Sequence, residues 1–489
     1  MKISNIPPSL LSDSYKQSHY QMYPKDITKL YSNFTARKSR MENVKDVVFF
    51  GLQYYILEYL IDKWNNNFFN VPKEKAIADH IRIVTPFSTG KIYSSQWESL
   101  HDLGYLPLLI KAVPEGTFVP IGVPMLTVTN THPDFAWLVN FIETQLSTTL
   151  WQPITSATIS REYRKTSTFW AKKTGGDLAF LDWQNHDFSM RGMSSIESAC
   201  LSGAGHLTSS KGSDTIPASI FLEEYYGSTD LIAASVAASE HSVMSSGGKE
   251  DEFQTFKRLL DTFPTGILSV VSDTWDLWKV CTEYLPKLKE QILARDGKIV
   301  CRPDSGVPED ILCGDKKALP TSPEHKGVIE LLWDVFGGTR NEKGYKVLDP
   351  HIGAIYGDAI TLERQNTICS RLEAKGFCST NIVFGVGSFT FQYNTRDTFG
   401  MAMKATYCEL NGKGKVIFKE PITDSGEKKS AKGLLLVEYD DQVPSKLRLL
   451  QEVTPEEEKT GELIEVFKDS KLLKKYSLDE IRERIKAQL

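Results

Sequence analysis

The stretch Lys298-Ile299-Val300-Cys301-Arg302-Pro303-Asp304-Ser305-Gly306 is a short apolar run that ends abruptly in charged and turn-forming residues. A run of this length, bounded by proline and glycine, is typical of a buried strand. The polar residues that follow it then lie at the carboxyl end of that strand. This is the position where barrels of alternating strands and helices carry their functional side chains.

The same pattern recurs along the middle of the chain. Apolar runs at 178–181, 233–238, 266–271, 352–356 and 381–384 each lead into polar or glycine-rich residues. An open doubly wound sheet also binds ligands at strand ends, but usually at one switch point. Repeated polar endings favour a ring, so we predict an α/β protein with a β/α barrel-like domain at 151–397.

The two ends of the chain have a different pattern. Residues 1–150 mix helical and strand patterns, and the part after residue 398 is rich in strand patterns, including a hairpin turn at 411–414. We therefore expect 1–150 and 398–489 to form together a sheet-containing α+β domain. The segment 308–326 is expected to be a solvated loop.

Composition limits the class of protein. The net charge of -5 over 489 residues argues against a general nucleic-acid binder, so any phosphate site needs a local basic cluster. The start lacks a signal-peptide core, and no apolar stretch is long enough to span a membrane. The seven scattered cysteines and the nine histidines show no zinc spacing, which predicts a reduced, cytoplasmic protein without a structural metal.

The polar residues at the strand ends suit a phosphosugar. Carboxylates fit ribose hydroxyls and Mg²⁺, arginines and lysines fit phosphates, and a glycine-rich turn can bring backbone N–H groups to a phosphate. Each residue alone has a structural alternative, because a strand-end aspartate is often a helix cap and a glycine run is often a plain loop. Together they favour phosphosugar binding: Asp273, Asp304, Asp358, Arg191, Arg302, Arg396, Lys404 and the turn at 385–388.

Longer stretches carry a resemblance. The chain closely resembles the nicotinamide phosphoribosyltransferase family, which belongs to the type II phosphoribosyltransferases, over nearly its whole length. The matching stretches include 11–16, 50–54, 111–116, 186–192, 211–215, 240–242, 302–306, 357–358 and 476–481. The resemblance implies a homodimer that joins nicotinamide to 5-phosphoribosyl 1-pyrophosphate, giving nicotinamide mononucleotide for NAD salvage.

The resemblance also assigns roles to residues. Phe188 and the Tyr15 of a second copy would stack on the pyridine ring, and Asp214 would accept the amide N–H. Core packing for Phe188 and a helix cap for Asp214 are the local alternatives. The remaining substrate-binding positions are Asp13, Arg191, Ser269, Arg302, Asp304, Gly357, Asp358, Gly387, Ser388, Arg396 and Lys404. One departure is Gly387-Ser388-Phe389, where the family has consecutive glycines.

His241 is assigned a separate role. In the family the matching histidine is phosphorylated by ATP, which couples ATP hydrolysis to nucleotide formation. Glu240 or a nearby carboxylate could orient the imidazole. A neutral imidazole is a competent nucleophile toward a phosphoryl group. The alternative is a structural histidine. We expect His241, Arg302 and Asp304 to be catalytic, with Asp304 also a Mg²⁺ ligand.

Other functions on the same fold stay open at this point. A phosphoribosyltransferase for nicotinic or quinolinic acid is the first, but a substrate carboxylate about 4 Å from Asp214 would cost roughly 4 kcal/mol at an effective dielectric of ~20. The second is a catalytically inactive dimeric binding protein, which should have lost the phosphate and magnesium residues. Those residues are present in this chain.

Overall fold

The computed structural model describes residues 2–88, 93–357, 359–420, 423, 430–440 and 442–489. The chain divides into two compact units. Unit 1 comprises Met1–Thr158, Phe221–Thr229 and Asn394–Leu489, and unit 2 comprises Ile159–Ile220 and Asp230–Tyr393. Each unit has its own sheet and its own apolar core.

The strands, numbered in chain order, are β1 (Ile27–Thr35), β2 (Asp46–Val48), β3 (Leu108–Ala112), β4 (Phe118–Pro120), β5 (Pro124–Asn130), β6 (Asn185–Asp187), β7 (Gly212–Ser213), β8 (Ala237–Ala238), β9 (Thr265–Val271), β10 (Asp296–Arg302), β11 (Gly338–Arg340), β12 (Lys346–Leu348), β13 (Ile352–Tyr356), β14 (Ile382–Val386), β15 (Ala402–Leu410), β16 (Lys413–Val416), β17 (Leu434–Asp440), β18 (Val443–Val453), β19 (Ile464–Lys468) and β20 (Lys471–Leu472).

The helical segments are of three kinds. The α-helices lie at His19–Met22, Leu52–Tyr54, Lys73–Val84, Ser95–Leu103, Leu138–Phe141, Glu143–Thr174, Leu181–Gln184, Ile196–Leu207, Ile216–Tyr225, His241–Ser245, Glu252–Thr262, Leu277–Lys279, Leu285–Lys287, Lys289–Leu293, Pro308–Cys313, Pro323–Lys326, Val328–Phe336, Leu362–Ala374, Ser388–Gln392 and Leu478–Gln488. Short 3₁₀ turns lie at Ile3–Asn5, Pro8–Leu10, Ser14–Ser18, Thr85–Phe87, Pro133–Phe135, Met190–Gly192, Lys249–Asp251, Ser379–Asn381, Arg396–Thr398 and Glu457–Lys459. π-helical segments lie at Tyr55–Lys63, Asn65–Phe69 and Val280–Tyr284.

Unit 2 contains a parallel seven-stranded sheet in the order β7-β6-β14-β13-β10-β9-β8. A parallel bridge between Gly212 and Ala234 links β7 to the residues just before β8. The Ala234 N–H donates to the Lys211 carbonyl at 2.9 Å, and the Ser213 N–H donates to the Ala234 carbonyl at 3.2 Å. The two edges of the sheet therefore meet, and the sheet curls into a barrel.

The alternation of side chains along β10 separates the core from the barrel interior. Ile299 and Cys301 are buried among residues of the surrounding helices, such as Leu332 and Ile368. Val300 and Arg302 point the other way and line a cavity inside the barrel. Because successive side chains leave opposite faces of a strand, one short sequence both packs the helices and supplies the cavity wall.

Unit 1 contains an antiparallel seven-stranded sheet in the order β16-β15-β1-β5-β3-β19-β20. Strands from both ends of the chain alternate in it, since β1 pairs with β15 and β3 pairs with β19. Asn411 and Gly412, both with positive φ, turn the predicted hairpin between β15 and β16. The predicted fold class, a β/α barrel-like domain with an α+β domain from both terminal segments, is confirmed.

Some element predictions were wrong. The run at 178–181 was expected to be a strand, but Leu181 begins a helix and the strand is Asn185–Asp187. A four-residue apolar run does not distinguish a strand from a buried helical turn. The segment 308–326 is not a plain loop, because Pro308–Cys313 and Pro323–Lys326 are helical and Leu312 and Cys313 are buried.

Candidate active site

The interior of the barrel in unit 2 holds a cavity of about 490 Å³. At the carboxyl ends of the strands it is lined by Phe188, Asp214 and Arg302, and at the amino ends by apolar residues and Lys298. Ser269 also lines it; this residue is 4% exposed, and its hydroxyl has no hydrogen-bond partner within the described residues. A ligand in the cavity can therefore supply the partner for that hydroxyl.

Phe188 forms an aromatic wall at the carboxyl end of the cavity. It follows β6, and its N–H donates to the Val386 carbonyl at 2.9 Å, which fixes the backbone beside β14. The His186 ring lies 4.6 Å from the Phe188 ring between centroids, and the Arg302 guanidinium lies 5.2 Å from the Phe188 centroid. This arrangement provides a flat surface suited to a planar heterocycle.

Asp214 lies beside this wall as an ionised acceptor. Its Oδ1 is 2.8 Å from His186 Nε2 and also accepts the Ser235 hydroxyl. Burial raises the pKa of Asp214, but the hydrogen bonds from His186 and Ser235 and the charges of His186 and Arg302 outweigh burial and lower the pKa below its ordinary value. Oδ1 is thus held by protein donors, which directs the carboxylate and favours acceptance of an N–H by Oδ2.

His241 begins a short helix directly after β8, and its side chain is 54% exposed. Its Nδ1 lies 3.3 Å from the Thr274 hydroxyl and its Nε2 lies 4.0 Å from Asp304 Oδ2. Asp304 Oδ2 is in turn 3.8 Å from Arg302 Nη2. The structure therefore brings together the three residues predicted to be catalytic. Glu240, which was expected to orient His241, accepts a hydrogen bond from the Ser242 hydroxyl instead.

Two strand-end carboxylates lie next to each other. Asp273 Oδ2 accepts the Asp304 N–H at 2.7 Å and the Ser305 hydroxyl at 2.6 Å, while its Oδ1 is buried without a hydrogen-bond partner among the described residues. A Cβ at Gly357 would lie 2.5 Å from Asp304 Oδ1 and 2.8 Å from Arg302 Nε. Glycine at 357 is therefore needed for these two side chains to approach the strand.

The predicted phosphate turn follows β14. Gly387 caps the helix Ser388–Gln392, and Ser388 does not have a positive φ, so serine causes no left-handed strain where the family has glycine. Gly192 packs directly against the Ser388 side chain, which places the exposed Arg191 close to this turn. Asp358, predicted to bind ribose, lies outside the described residues.

The other predicted site residues belong to unit 1. Tyr15 is 60% exposed, and Asp13 accepts the Thr144 hydroxyl at 2.7 Å. Burial lowers the pKa of Lys404, as do the cations Arg37, Lys419 and Arg396, whereas Glu143 raises it. Lys404 and Arg396 are thus part of a local positive cluster. Such a cluster was expected, because a phosphate site in a chain of net negative charge needs basic residues grouped together.

Sequence reasoning missed residues that orient the predicted ones. His186 and Ser235 hold Asp214, Thr274 contacts His241, and Asp273 holds the backbone of Asp304. A signal for His186 was present, because it lies two residues before Phe188 and alternation along a strand places such residues on one face. Ser235 and Thr274 have no comparable local signal.

The chain matches two known family models and named relatives. Residues 183–470 match the nicotinate phosphoribosyltransferase (NAPRTase) family, and residues 8–97 match the N-terminal domain of nicotinamide phosphoribosyltransferase. The nicotinamide phosphoribosyltransferase of Acinetobacter baylyi is 48% identical over 99% of this chain and 98% of its own length. The enzyme of the same name from Xanthomonas campestris is 32% identical over 97% of each chain.

Solved structures resemble the chain at the level of the fold. The nicotinate-nucleotide pyrophosphorylase of Pyrococcus furiosus superposes with a TM-score of 0.60 at 14% identity, covering 100% of this chain and 96% of that one. Human nicotinic acid phosphoribosyltransferase gives a TM-score of 0.54 at 13% identity, with coverage of 98% and 93%. Within the described part of the chain, no helix has the length and apolar character needed to cross a membrane.

Proposed function

The chain belongs to the nicotinamide phosphoribosyltransferase family, and on this premise we propose that it joins nicotinamide to 5-phosphoribosyl 1-pyrophosphate, releasing pyrophosphate. The environment of Asp214 is the observation that favours nicotinamide over nicotinate as the substrate. Its carboxylate is ionised, lies beside the Phe188 wall, and has Oδ1 occupied by His186 and Ser235. Oδ2 can accept an amide N–H, whereas the carboxylate of nicotinate would meet a like charge.

The transfer needs positioning more than proton chemistry. The pyridine nitrogen has no proton to lose, so its attack on the ribose C1 requires no general base. Phe188 orients the pyridine ring of the substrate. Arg302 lies near the Phe188 ring and Asp304, and it stabilises the negative charge that develops as the pyrophosphate departs. Ser269 offers its free hydroxyl to the amide side of the ligand.

Mg²⁺ fits the carboxylates at the strand ends. Among the described residues no cluster of three or more His, Cys, Asp and Glu side chains is arranged to hold a metal. Asp273, with its buried and unbonded Oδ1, and Asp304 are the oxygen ligands that the chain offers. Mg²⁺ commonly takes one or two carboxylates and completes its shell with water and phosphate oxygens, and there it would neutralise the pyrophosphate charge.

We also propose that His241 accepts a phosphoryl group from ATP. Its exposure leaves the imidazole accessible, and Thr274 and Asp304 lie close enough to orient the ring. Transfer breaks the bond between the γ-phosphorus and its bridging oxygen, forms a nitrogen–phosphorus bond and releases ADP. Later hydrolysis of the phosphohistidine returns the neutral ring and inorganic phosphate.

The site is proposed to be completed in a homodimer. The exposed Tyr15, together with Asp13, Arg396 and Lys404, would come from the second copy and supply the opposite ring face and phosphate contacts. The cytoplasm is the proposed location, because the cysteines show no disulfide spacing.

The test is pyrophosphate release from 5-phosphoribosyl 1-pyrophosphate with nicotinamide and nicotinate compared in parallel. We expect kcat/KM to be at least about a hundredfold higher for nicotinamide than for nicotinate. This factor corresponds to part of the roughly 4 kcal/mol of repulsion between Asp214 and the nicotinate carboxylate. Equal use of nicotinamide and nicotinate, or a preference for nicotinate, would overturn the assignment. Absence of pyrophosphate release with both bases would also overturn the assignment and favour the catalytically inactive binding protein.

A further inference from the structure

The barrel cavity has a second cation that the proposed transfer does not use. Lys298, Val300 and Arg302 alternate along β10, and all three line the cavity. At about 3.3 Å per residue, the Lys298 and Arg302 side chains leave the same face of the strand roughly 13 Å apart. Lys298 therefore lies at the amino ends of the strands, away from Phe188 and Asp214.

The walls near Lys298 are apolar. They are formed by Ile267, Val347, Leu348 and Ile352. Thr380 and Asn381 are the polar residues beside these walls, and the Thr380 hydroxyl lies 3.1 Å from Cys378 Sγ. Asn381 Oδ1 accepts the Leu348 N–H at 2.9 Å, and Asn381 Nδ2 donates to the Lys346 carbonyl at 2.8 Å. Its amide is thus engaged by β12 and does not compete for Lys298.

The Lys298 ammonium is not paired with a carboxylate of the described residues. Among the described residues, none lies within hydrogen-bond or ion-pair distance of it. Burial lowers the pKa of Lys298, and the charge of Asp349 offsets only part of this effect. Asp349 Oδ1 instead accepts the His351 N–H at 2.9 Å and lies 2.7 Å from the His351 ring nitrogen. Lys298 is partly buried, and partial removal of an unpaired ammonium from water is costly, so a ligand that supplies a negative charge would be favoured.

Gly353 makes room for this lysine. A Cβ at Gly353 would lie 3.2 Å from Lys298 Cδ and 3.9 Å from Lys298 Nζ. The aliphatic stem of Lys298 therefore crosses β13 where that strand has no side chain. The missing side chain leaves room for Lys298 to lie along the cavity wall.

We propose that the amino-terminal end of the barrel cavity binds a monocarboxylate with an apolar chain, whose carboxylate pairs with the Lys298 ammonium. A single ammonium suits a single negative charge, whereas a phosphate group needs several donors or an arginine fork. The apolar walls then take the hydrocarbon part of the ligand. The proposal does not depend on the transferase activity and can be tested without substrates.

The test is isothermal titration calorimetry of the full chain with octanoate and with octan-1-ol, which differ in charge but have similar chains. We expect octanoate to bind about tenfold to a hundredfold tighter than the alcohol, the range for a hydrogen bond to a charged group. Lys298→Met should abolish this preference while leaving the affinity for octan-1-ol unchanged, and Lys298→Arg should keep the preference.

The control is Lys316→Met, which removes an exposed lysine of unit 2 and should bind both compounds like the parent chain. Melting temperatures of all variants separate loss of binding from loss of folding. Equal affinity for octanoate and octan-1-ol in the parent chain would overturn the proposal, as would a preference for octanoate that survives in Lys298→Met.

Discussion

Single residues in the site owe their properties to neighbours that are distant in sequence. The pKa of Asp214 is lowered because His186 and Ser235 donate to its carboxylate, although burial alone would raise that pKa. The sequence indicated Asp214 and Phe188 through the resemblance, and the structure places both at one end of the cavity. Ser235 could not be predicted, because its contact with Asp214 depends on how the strands close into a barrel.

Asp214→Asn tests recognition of the amide. Asparagine keeps the size of the side chain but removes the negative charge, so the preference for nicotinamide over nicotinate should fall by roughly tenfold to a hundredfold. The measurement is kcat/KM for both substrates, with Asp296→Asn as the control because Asp296 is exposed. The KM for 5-phosphoribosyl 1-pyrophosphate should change little. An unchanged ratio in Asp214→Asn would exclude this residue as the reader of the amide.

His241→Ala separates energy coupling from transfer. ATP hydrolysis that depends on nucleotide formation should be lost, while nicotinamide binding and a slower transfer persist, because Phe188 and Asp214 form the ring site without His241. The melting temperature should stay near that of the parent, since the side chain is 54% exposed. A normally folded variant that still hydrolyses ATP at the parent rate would rule out the phosphohistidine.

At the level of elements, strand positions were predictable where an apolar run led directly into a glycine, a charged residue or a polar turn. The runs at 266–271, 298–301 and 352–356 correspond to β9, β10 and β13. The position of β6 was not predictable, because β6 is fixed by its parallel pairing with β14 rather than by its own sequence, Asn185–Asp187. Tertiary pairing overrode local propensity there.

Glu115 joins several elements of unit 1. Its carboxylate accepts the N–H groups of Gly51 at 2.8 Å and Gln53 at 2.6 Å, at the start of the helix Leu52–Tyr54, and the Tyr226 hydroxyl at 3.0 Å. Arg484 of the C-terminal helix donates to the Glu115 carbonyl. Burial raises the pKa of Glu115 to about 7 despite these donors.

This raised pKa predicts a pH dependence of stability. The folded state holds the proton more tightly than the unfolded state, whose pKa is near the ordinary value of 4.5. The stability from Glu115 is therefore full below pH 4.5 and is lost as the pH rises through about 7, by roughly 3 kcal/mol. Denaturant unfolding across this range should show that loss in the parent and not in Glu115→Gln.

The control for this prediction is Glu465→Gln, which changes an exposed glutamate of the same unit and should keep the parent's pH dependence. Glu115→Gln should also be less stable than the parent at every pH, because an amide NH₂ cannot accept from the donors that the carboxylate satisfies. If Glu115→Gln loses stability with pH as steeply as the parent, Glu115 is not the titrating group.

At the scale of the whole chain, the two units explain why the site residues are spread over the sequence. The barrel could be predicted from its repeated strand ends, and the α+β class of the terminal segments from their hairpin and strand patterns. The inclusion of Phe221–Thr229 in unit 1 could not be predicted, because the sequence of those residues carries no boundary signal. They are held in unit 1 by tertiary hydrogen bonds such as that from the Tyr226 hydroxyl to Glu115.

The division into two units leads to a prediction about the proposed homodimer. Tyr15 belongs to unit 1 and Asp304 to unit 2, and we propose that each site takes these residues from different copies. Tyr15→Ala and Asp304→Ala homodimers should each be nearly inactive. In a heterodimer of the two, one site receives both defects and the other receives none, so activity should return to about half that of the parent dimer.

Differently tagged chains, copurified through both tags, allow this heterodimer to be isolated and its pyrophosphate release measured. Two tagged copies of Tyr15→Ala, treated in the same way, control for effects of exchange and purification and should remain inactive. The outcome depends on which chain supplies the exposed ring of Tyr15. If a verified heterodimer is as inactive as its parents, both residues act within one chain, and the exposure of Tyr15 must then be explained by something other than a neighbouring site.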